Sequence, residues 1–173
     1  IIRMFEDGNV CVVGLRGRGK DMLMSNVVVR RSIPYVSNVC YDLQHHIEFN
    51  PSDFSCGGNS YKNFIEKSVN KYVYPFPDGT DLYLSDCGVY YPSQYCNELN
   101  RDYKHVPTYM ALSRHLGQAN VHTNCQNLNR IWDKLREQSD QYISCIWCKV
   151  FFGKIVLQKV IIYDNADSCQ GRV

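Results

Sequence analysis

The chain has 173 residues, 45% hydrophobic and 13% aromatic, with 19 Lys and Arg against 17 Asp and Glu. That length suffices for one domain with a proper core, the aromatic content excludes a disordered chain, and the near-balanced charge names no polyanionic partner. No apolar run approaches the roughly 20 residues that span a bilayer, and Arg3, Glu6 and Asp7 interrupt any signal-peptide pattern.

Asn9–Val13 is a short apolar run that ends in a glycine-rich turn and reads as a buried strand. Lys20–Arg31 follows as a helix, with Met22, Leu23, Asn26, Val27 and Arg30 at helical spacing, and Pro34 bars its continuation. Tyr35–Cys40 reads as a second strand. His46–Tyr61, with Pro51, Gly57 and Gly58, reads as loop, and Tyr61–Val73 as a helix with Phe64, Ile65, Ser68 and Val69 on one side. Leu82–Leu84 is a short strand leading to Asp86. Val106–Leu116 is a helix stopped by Gly117, Asn120–Asn124 a strand, and Asn129–Arg136 an amphipathic helix burying Ile131, Trp132 and Leu135. Tyr142–Phe151 and Ile155–Tyr163, parted by Gly153 and Lys154, form a terminal β-hairpin. Strands alternating with helices imply an α/β fold, a mainly parallel sheet with helices on both faces, in a single domain over residues 1–173.

Nine cysteines, odd in number and partly inside apolar runs, suggest reduced, buried thiols. Cys145-Ile-Trp-Cys148 has C-x-x-C spacing, but a regular strand would point the two thiols to opposite faces.

Gly14-Leu-Arg-Gly-Arg-Gly-Lys20 matches the first seven positions of the phosphate-binding pattern G-x-x-x-x-G-K-[ST]. Glycines let successive N–H groups turn inward around a phosphate, the following helix adds its positive end, and Lys20 reaches the β- and γ-phosphates. The stretch expected to contact nucleotide is Gly14, Leu15, Arg16, Gly17, Arg18, Gly19, Lys20, Asp21 and Met22, with ATP and Mg²⁺ as cofactors. The basic cluster Arg16, Arg18, Lys20, Arg30 and Arg31 otherwise reads as a solvated helix face.

Asp21 stands where a Ser or Thr hydroxyl would bind Mg²⁺. A carboxylate either serves that role, directly or through water, or leaves metal binding weak. Leu82-Tyr-Leu-Ser-Asp86 has the apolar-run-then-Asp form of a second metal-holding position, although Asp86 could simply cap its turn. Cys87 follows where many hydrolases place a Glu base, and a thiol cannot replace that base without a strongly lowered pKa. Gln94 and Glu98 are the nearby substitutes.

Ala111–Gln126, which contains Ser-Arg-His-Leu-Gly and ends in Gln126, followed by Ile131-Trp-Asp-Lys-Leu-Arg136, resembles the zonular occludens toxin family and its filamentous-phage assembly ATPase relatives. The resemblance covers about residues 8–150. It implies a three-layer P-loop NTPase core with Gln126 positioning the attacking water and Arg136 or Arg114 donated across a subunit interface. It further implies a homo-oligomeric ring on the cytoplasmic side of the host inner membrane, with single-stranded DNA and phage assembly proteins as partners and a membrane anchor beyond Val173. The bland readings are that Gln126 caps a helix starting near Leu128 and that Arg136 pairs with Asp133 or Asp140. Asp21 and Cys87 favour an alternative, a degenerate domain that binds nucleotide for assembly and hydrolyses it little. A small metabolite kinase lacks the expected arginine-rich lid.

Overall fold

The computed structural model describes residues 1–51, 65–66, 71–72, 77–116, 120–152 and 154–170. Its main sheet is built from β1 (Val10–Val13), β2 (Tyr35–Ser37), β3 (His46–Glu48), β6 (Asp81–Leu84), β7 (Val121–Cys125), β8 (Gln141–Phe151) and β9 (Lys154–Tyr163). The spatial order is β3-β2-β6-β7-β1-β8-β9. All neighbours run parallel except β8 and β9, which form the terminal antiparallel hairpin.

β1 shows why both faces are covered. Val10 and Val12 project to one side, into a cluster with Phe5, Leu23, Met24, Val27 and Val28. Cys11 and Val13 project to the other, with Leu82, Leu84, Tyr109, Trp132 and Leu135. Alternate side chains of a strand face opposite ways, so a strand clothed by helices on both sides must be apolar at every position. The helices are α1 (Ile2–Asp7), α2 (Lys20–Arg31), α3 (Cys87–Tyr90), α4 (Cys96–Asp102), α5 (Val106–Leu112), α6 (Asp133–Arg136) and α7 (Ala166–Gln170).

Several expectations change. In α2 the buried face is Leu23, Met24, Val27 and Val28, while Asn26 and Arg30 are exposed. The sheet selects the wholly aliphatic stripe over the mixed one. His46–Glu48 is an edge strand beside β2, three residues that loop-like flanks concealed. Within Tyr61–Val73, the described pieces β4 (Ile65–Glu66) and β5 (Lys71–Tyr72) pair antiparallel and are not helix. Ile65 and Tyr72 are good strand formers. Phe64, Ser68, Val69 and the helix stop Gly117 lie outside the described residues. Val106–Leu112 gives way to a 3₁₀ turn at Ser113–Leu116. Asn129–Arg136 is split between a 3₁₀ turn ending at Arg130 and α6, because Ile131 bridges to Pro92, yet Ile131, Trp132 and Leu135 are all buried as expected.

One polar cluster lies inside the α2 side of the sheet. Arg31, at the end of α2, pairs with the fully buried Asp81, and Arg31 also donates to the Phe5 carbonyl at 2.5 Å. His122, fully buried against Phe5 and Tyr83, accepts from Val10 N–H at Nδ1 (3.4 Å) and stands 3.7 Å from Asp81 through Nε2. Burial holds the imidazole below its ordinary pKa despite the Asp81 carboxylate. The folded pKa is therefore lower than the unfolded one. Neutral His122 contributes its stability fully above about pH 6.5, and that contribution is lost as pH falls towards the folded value. The urea midpoint should drop between about pH 7.5 and about pH 5.5, and His122→Gln should flatten that slope. An unchanged slope in the variant would assign the dependence to other groups.

Candidate functional site: a phosphate loop at the carboxyl edge of the sheet

β1 ends at Val13, and the chain turns through residues 14–19 into α2. Gly14 N–H donates to Cys125 O (3.1 Å), tying the loop to the end of β7, and Arg18 N–H donates to Leu15 O (3.1 Å). Gly17 and Gly19 adopt φ of 79° and 85°, a region that penalises any Cβ. The N–H groups of residues 15–17 and 19 have no protein acceptor among the described residues. Together with the first-turn amides of α2 they form a concave set of donors at a helix N-terminus, the arrangement that receives an anion.

Lys20 begins α2. Its side chain is 8% exposed, and Nζ lies 3.0 Å from Asp21 and 3.6 Å from Asp86. Burial alone would lower the ammonium pKa, but the Asp21 and Asp86 carboxylates outweigh it and leave Lys20 raised. As part of the basic cluster Lys20 could have lain on a solvated helix face; its side chain is instead buried, with Nζ held between the two carboxylates.

Asp86 follows β6 with a left-handed φ of 54°, which an aspartate tolerates in a turn. Its N–H donates to Asn124 Oδ1 (2.8 Å). Asn124, fully buried at the end of β7, also donates through Nδ2 to Ser85 Oγ (3.1 Å), Asp21 Oδ1 (3.3 Å) and Tyr41 Oη (3.3 Å). The Tyr41 and Ser85 hydroxyls are in direct contact. Burial, with Asp21 and Asp86 adding to it, pushes the Tyr41 phenol up, so it stays protonated as a donor. Asn124, Ser85 and Tyr41 were missed in the sequence. The only available signal was a polar residue at each strand's carboxyl end, which is where open α/β sheets bind ligands.

Cys87 is fully buried, donates to Leu84 O (3.2 Å) and is pushed well above its ordinary pKa by burial. It is no base. The small cleft beside Asp86 is lined by Gly88, Val89, Cys125, Gln126 and Arg130, not by Gln94 or Glu98, which lie exposed beyond it. Gln126 is thus brought next to Asp86, and Arg130, unremarked in the sequence, flanks it. The cap of the turn at Leu128 is Asn127, whose Oδ1 accepts from Asn129 N–H (2.9 Å), so Gln126 has no capping task.

Arg136 and Arg114, the arginines expected to be donated across an interface, stand apart from the cradle. Arg136 is half-buried, with Nη1 3.4 Å from Leu128 O, and its own carbonyl accepts from the Tyr142 hydroxyl (2.7 Å). Arg114 sits in the 3₁₀ turn whose Ser113 and His115 line a cavity with Asn9 and Asp140, at the opposite end of β1. Leu15, Arg16 and Arg18 are exposed on the loop, and Met22 is half-buried in the first turn of α2.

The loop also rests on the terminal hairpin. Arg18 Nη1 donates to Ile146 O (2.8 Å), and Gln158 Nε2 donates to Gly19 O (3.0 Å). A bulge between Cys145 and Trp147 shifts the register, so Cys145 and Cys148 share one face. Cys145 abuts Gly14, and Cys148 abuts Gly19, with Cys148 Sγ 3.4 Å from Gly17 O. The expected opposite-facing arrangement fails because the extra residue Ile146 resets the alternation. No cluster of three or more metal-ligating side chains occurs among the described residues.

The fold is the α/β arrangement of P-loop NTPases, a seven-stranded, mostly parallel sheet with helices on its faces. No family model and no curated protein matches the chain. Among solved structures, it shares its fold with the N-terminal domain of zonular occludens toxin from Neisseria meningitidis. That match has a TM-score of 0.60 and 11% identity, covering 92% of this chain and 85% of the other. The genome-packaging NTPase B204 of Sulfolobus turreted icosahedral virus 2 is similar too. Its complex with ATP-gammaS gives a TM-score of 0.58 at 16% identity (95% and 94% covered), and that with AMPPCP gives 0.53 at 13% (80% and 74%).

Proposed function

We propose that the chain is an ATP-binding NTPase domain that powers DNA movement or virion assembly as a ring of identical subunits. The observation that carries this reading is Lys20, held at the start of α2 between Asp21 and Asp86 and facing a crescent of free backbone amides. Those amides and Lys20 bind and orient the β- and γ-phosphates, and Asn124 and Tyr41 fix the rim on which the triphosphate rests. The similar B204 is a genome-packaging NTPase that binds nucleotide analogues, which supports the same chemistry here.

Asp21 and Asp86 supply hard oxygen donors that fit Mg²⁺ once Lys20 turns to the phosphates. The metal, when bound, would neutralise charge developing between the phosphates. Gln126, next to Asp86, positions the attacking water. With Cys87 inert, one subunit lacks a complete hydrolytic set, and an arginine from a neighbour completes it. Arg136 and Arg114 are the candidate donors across a ring contact; Arg136 would first release its hydrogen bond to Leu128 O. The partners in this reading are single-stranded DNA and assembly proteins, at the cytoplasmic side of a host inner membrane.

Phosphate release from Mg·ATP should rise more steeply than linearly with protein concentration. Mixing Lys20→Ala with Arg136→Ala or with Arg114→Ala should restore part of the activity that each variant lacks, whichever arginine is the finger, since a finger is worth on the order of 10³–10⁵ in rate. Specific activity constant down to a demonstrable monomer would defeat the shared site. Tight ATP binding without turnover at any concentration would favour the second reading, an assembly domain that keeps nucleotide as a structural ligand, for which buried Cys87 already argues.

A further inference from the structure

We propose that the tip of the β8–β9 hairpin is a membrane-contacting element that inserts into the interfacial layer of an anionic bilayer. The tip carries the densest exposed apolar surface among the described residues: Val150 is 52% exposed, Phe151 65% and Phe152 90%, with Leu157 at 54% on the returning strand. Phe151 and Phe152 stack edge-on at 4.4 Å and so present one joint apolar wedge. Solvent-facing apolar groups in this number mark a contact surface.

Charge along the ribbon identifies the partner. Residues 141–163 contain Lys149, Lys154 and Lys159 and no Asp or Glu; acids resume only at Asp140 and Asp164, at the root. In the register, Lys149 stands opposite Leu157, Lys154 opposite Phe151 and Lys159 opposite Trp147. The ribbon is thus graded along its axis, with an apolar end, lysines at its shoulders and carboxylates only at its base. A bilayer surface has the complementary gradient of hydrocarbon, then anionic headgroups, then water. Val150–Phe152 spans about 7 Å at the usual strand rise, within the interfacial depth of about 5–10 Å that such anchors reach.

Two other occupants fit less well. A ribbon-to-ribbon contact between copies would set Lys149 and Lys159 against their own equivalents with no carboxylate on either side. Single-stranded nucleic acid needs a basic groove in which successive bases stack on open aromatic faces; here the two rings pack edge-on against each other at the end of a two-stranded ribbon.

The test is co-sedimentation of the intact chain with vesicles of phosphatidylcholine alone or mixed with phosphatidylglycerol. Binding should require the anionic lipid and fall with salt. It should weaken about fivefold for each of Lys149→Gln and Lys159→Gln, and at least about tenfold in Phe151→Ser/Phe152→Ser. These side chains are exposed, so thermal unfolding should be unchanged, which keeps loss of binding separate from loss of fold. Phe152→Trp adds a depth readout: its emission should be quenched by brominated lipid, whereas Trp132 is fully buried and Trp147 lies about 16 Å back along the strand. Binding equal on both vesicle types, or indifferent to the phenylalanines, overturns the proposal. So does a change of oligomer size or oligonucleotide affinity in Phe151→Ser/Phe152→Ser without any vesicle binding. None of these readouts depends on nucleotide, so the outcome is independent of the phosphate-loop reading.

Discussion

Lys20→Met should lower affinity for a fluorescent ATP analogue by about two orders of magnitude while leaving the fold intact. Hydrogen bonds to a charged group contribute roughly 1.5–3 kcal/mol, and the ammonium is placed to make more than one to the phosphates. Its loss also leaves Asp21 and Asp86 facing an incoming triphosphate with no cation between them. Methionine keeps most of the enclosed stem, whereas Lys20→Ala additionally empties space in a side chain only 8% exposed. The two variants should therefore bind equally poorly, and the alanine should be the less stable. A folded Lys20→Met that binds the analogue as the parent does would remove the phosphate-loop assignment altogether.

The largest effect on stability should come from Arg31→Ala, which strands the Asp81 carboxylate at zero exposure beneath the end of α2. Removing one partner of a buried ion pair typically costs about 3–5 kcal/mol, because the survivor is desolvated and unpaired. The same change cuts the guanidinium link to the Phe5 carbonyl, loosening α1 from α2. Urea unfolding followed by the emission of buried Trp132 would report it. Arg31→Met combined with Asp81→Leu should recover most of the loss, since neither charge remains to be buried. A cost below about 1 kcal/mol for Arg31→Ala would mean the pair behaves as a solvated surface bridge.

The sequence showed the parts of the fold governed by local pattern. β1, α2 with both its ends, and the terminal hairpin are visible because apolar runs, a glycine turn and a proline mark them directly. His46–Glu48 is hidden, since a three-residue edge strand exists only through its neighbour β2. The turn at Gly14–Lys20 is legible because its glycines mark a tight passage from strand to helix, with positive φ at Gly17 and Gly19. Asn124, Ser85 and Tyr41 are not, because their meaning arises from three strands ending side by side. Arg31 looked like surface charge, and only the parallel pairing of β6 with β2 brings Asp81 under it. Likewise the C-x-x-C pair shares a face through a single inserted residue, which no alternation rule anticipates.

The position of β1 also governs the order in which the molecule can be assembled as it is synthesised. This strand precedes both of its neighbours, β7 and β8, by more than a hundred residues of chain. The joining contacts span 112 residues from Val10 to His122 and 131 from Asn9 to Asp140. A nascent chain therefore carries the glycine-rich loop long before it has the sheet that holds it, and the loop has no support until the hairpin has emerged. Until then the Val-Cys-Val-Val run is an unpaired apolar strand, the kind of segment that chaperones shield. Pairings this remote in sequence also make folding slow for a domain of this size, so the cluster around Lys20 and Asn124 is among the last features of the fold to be completed.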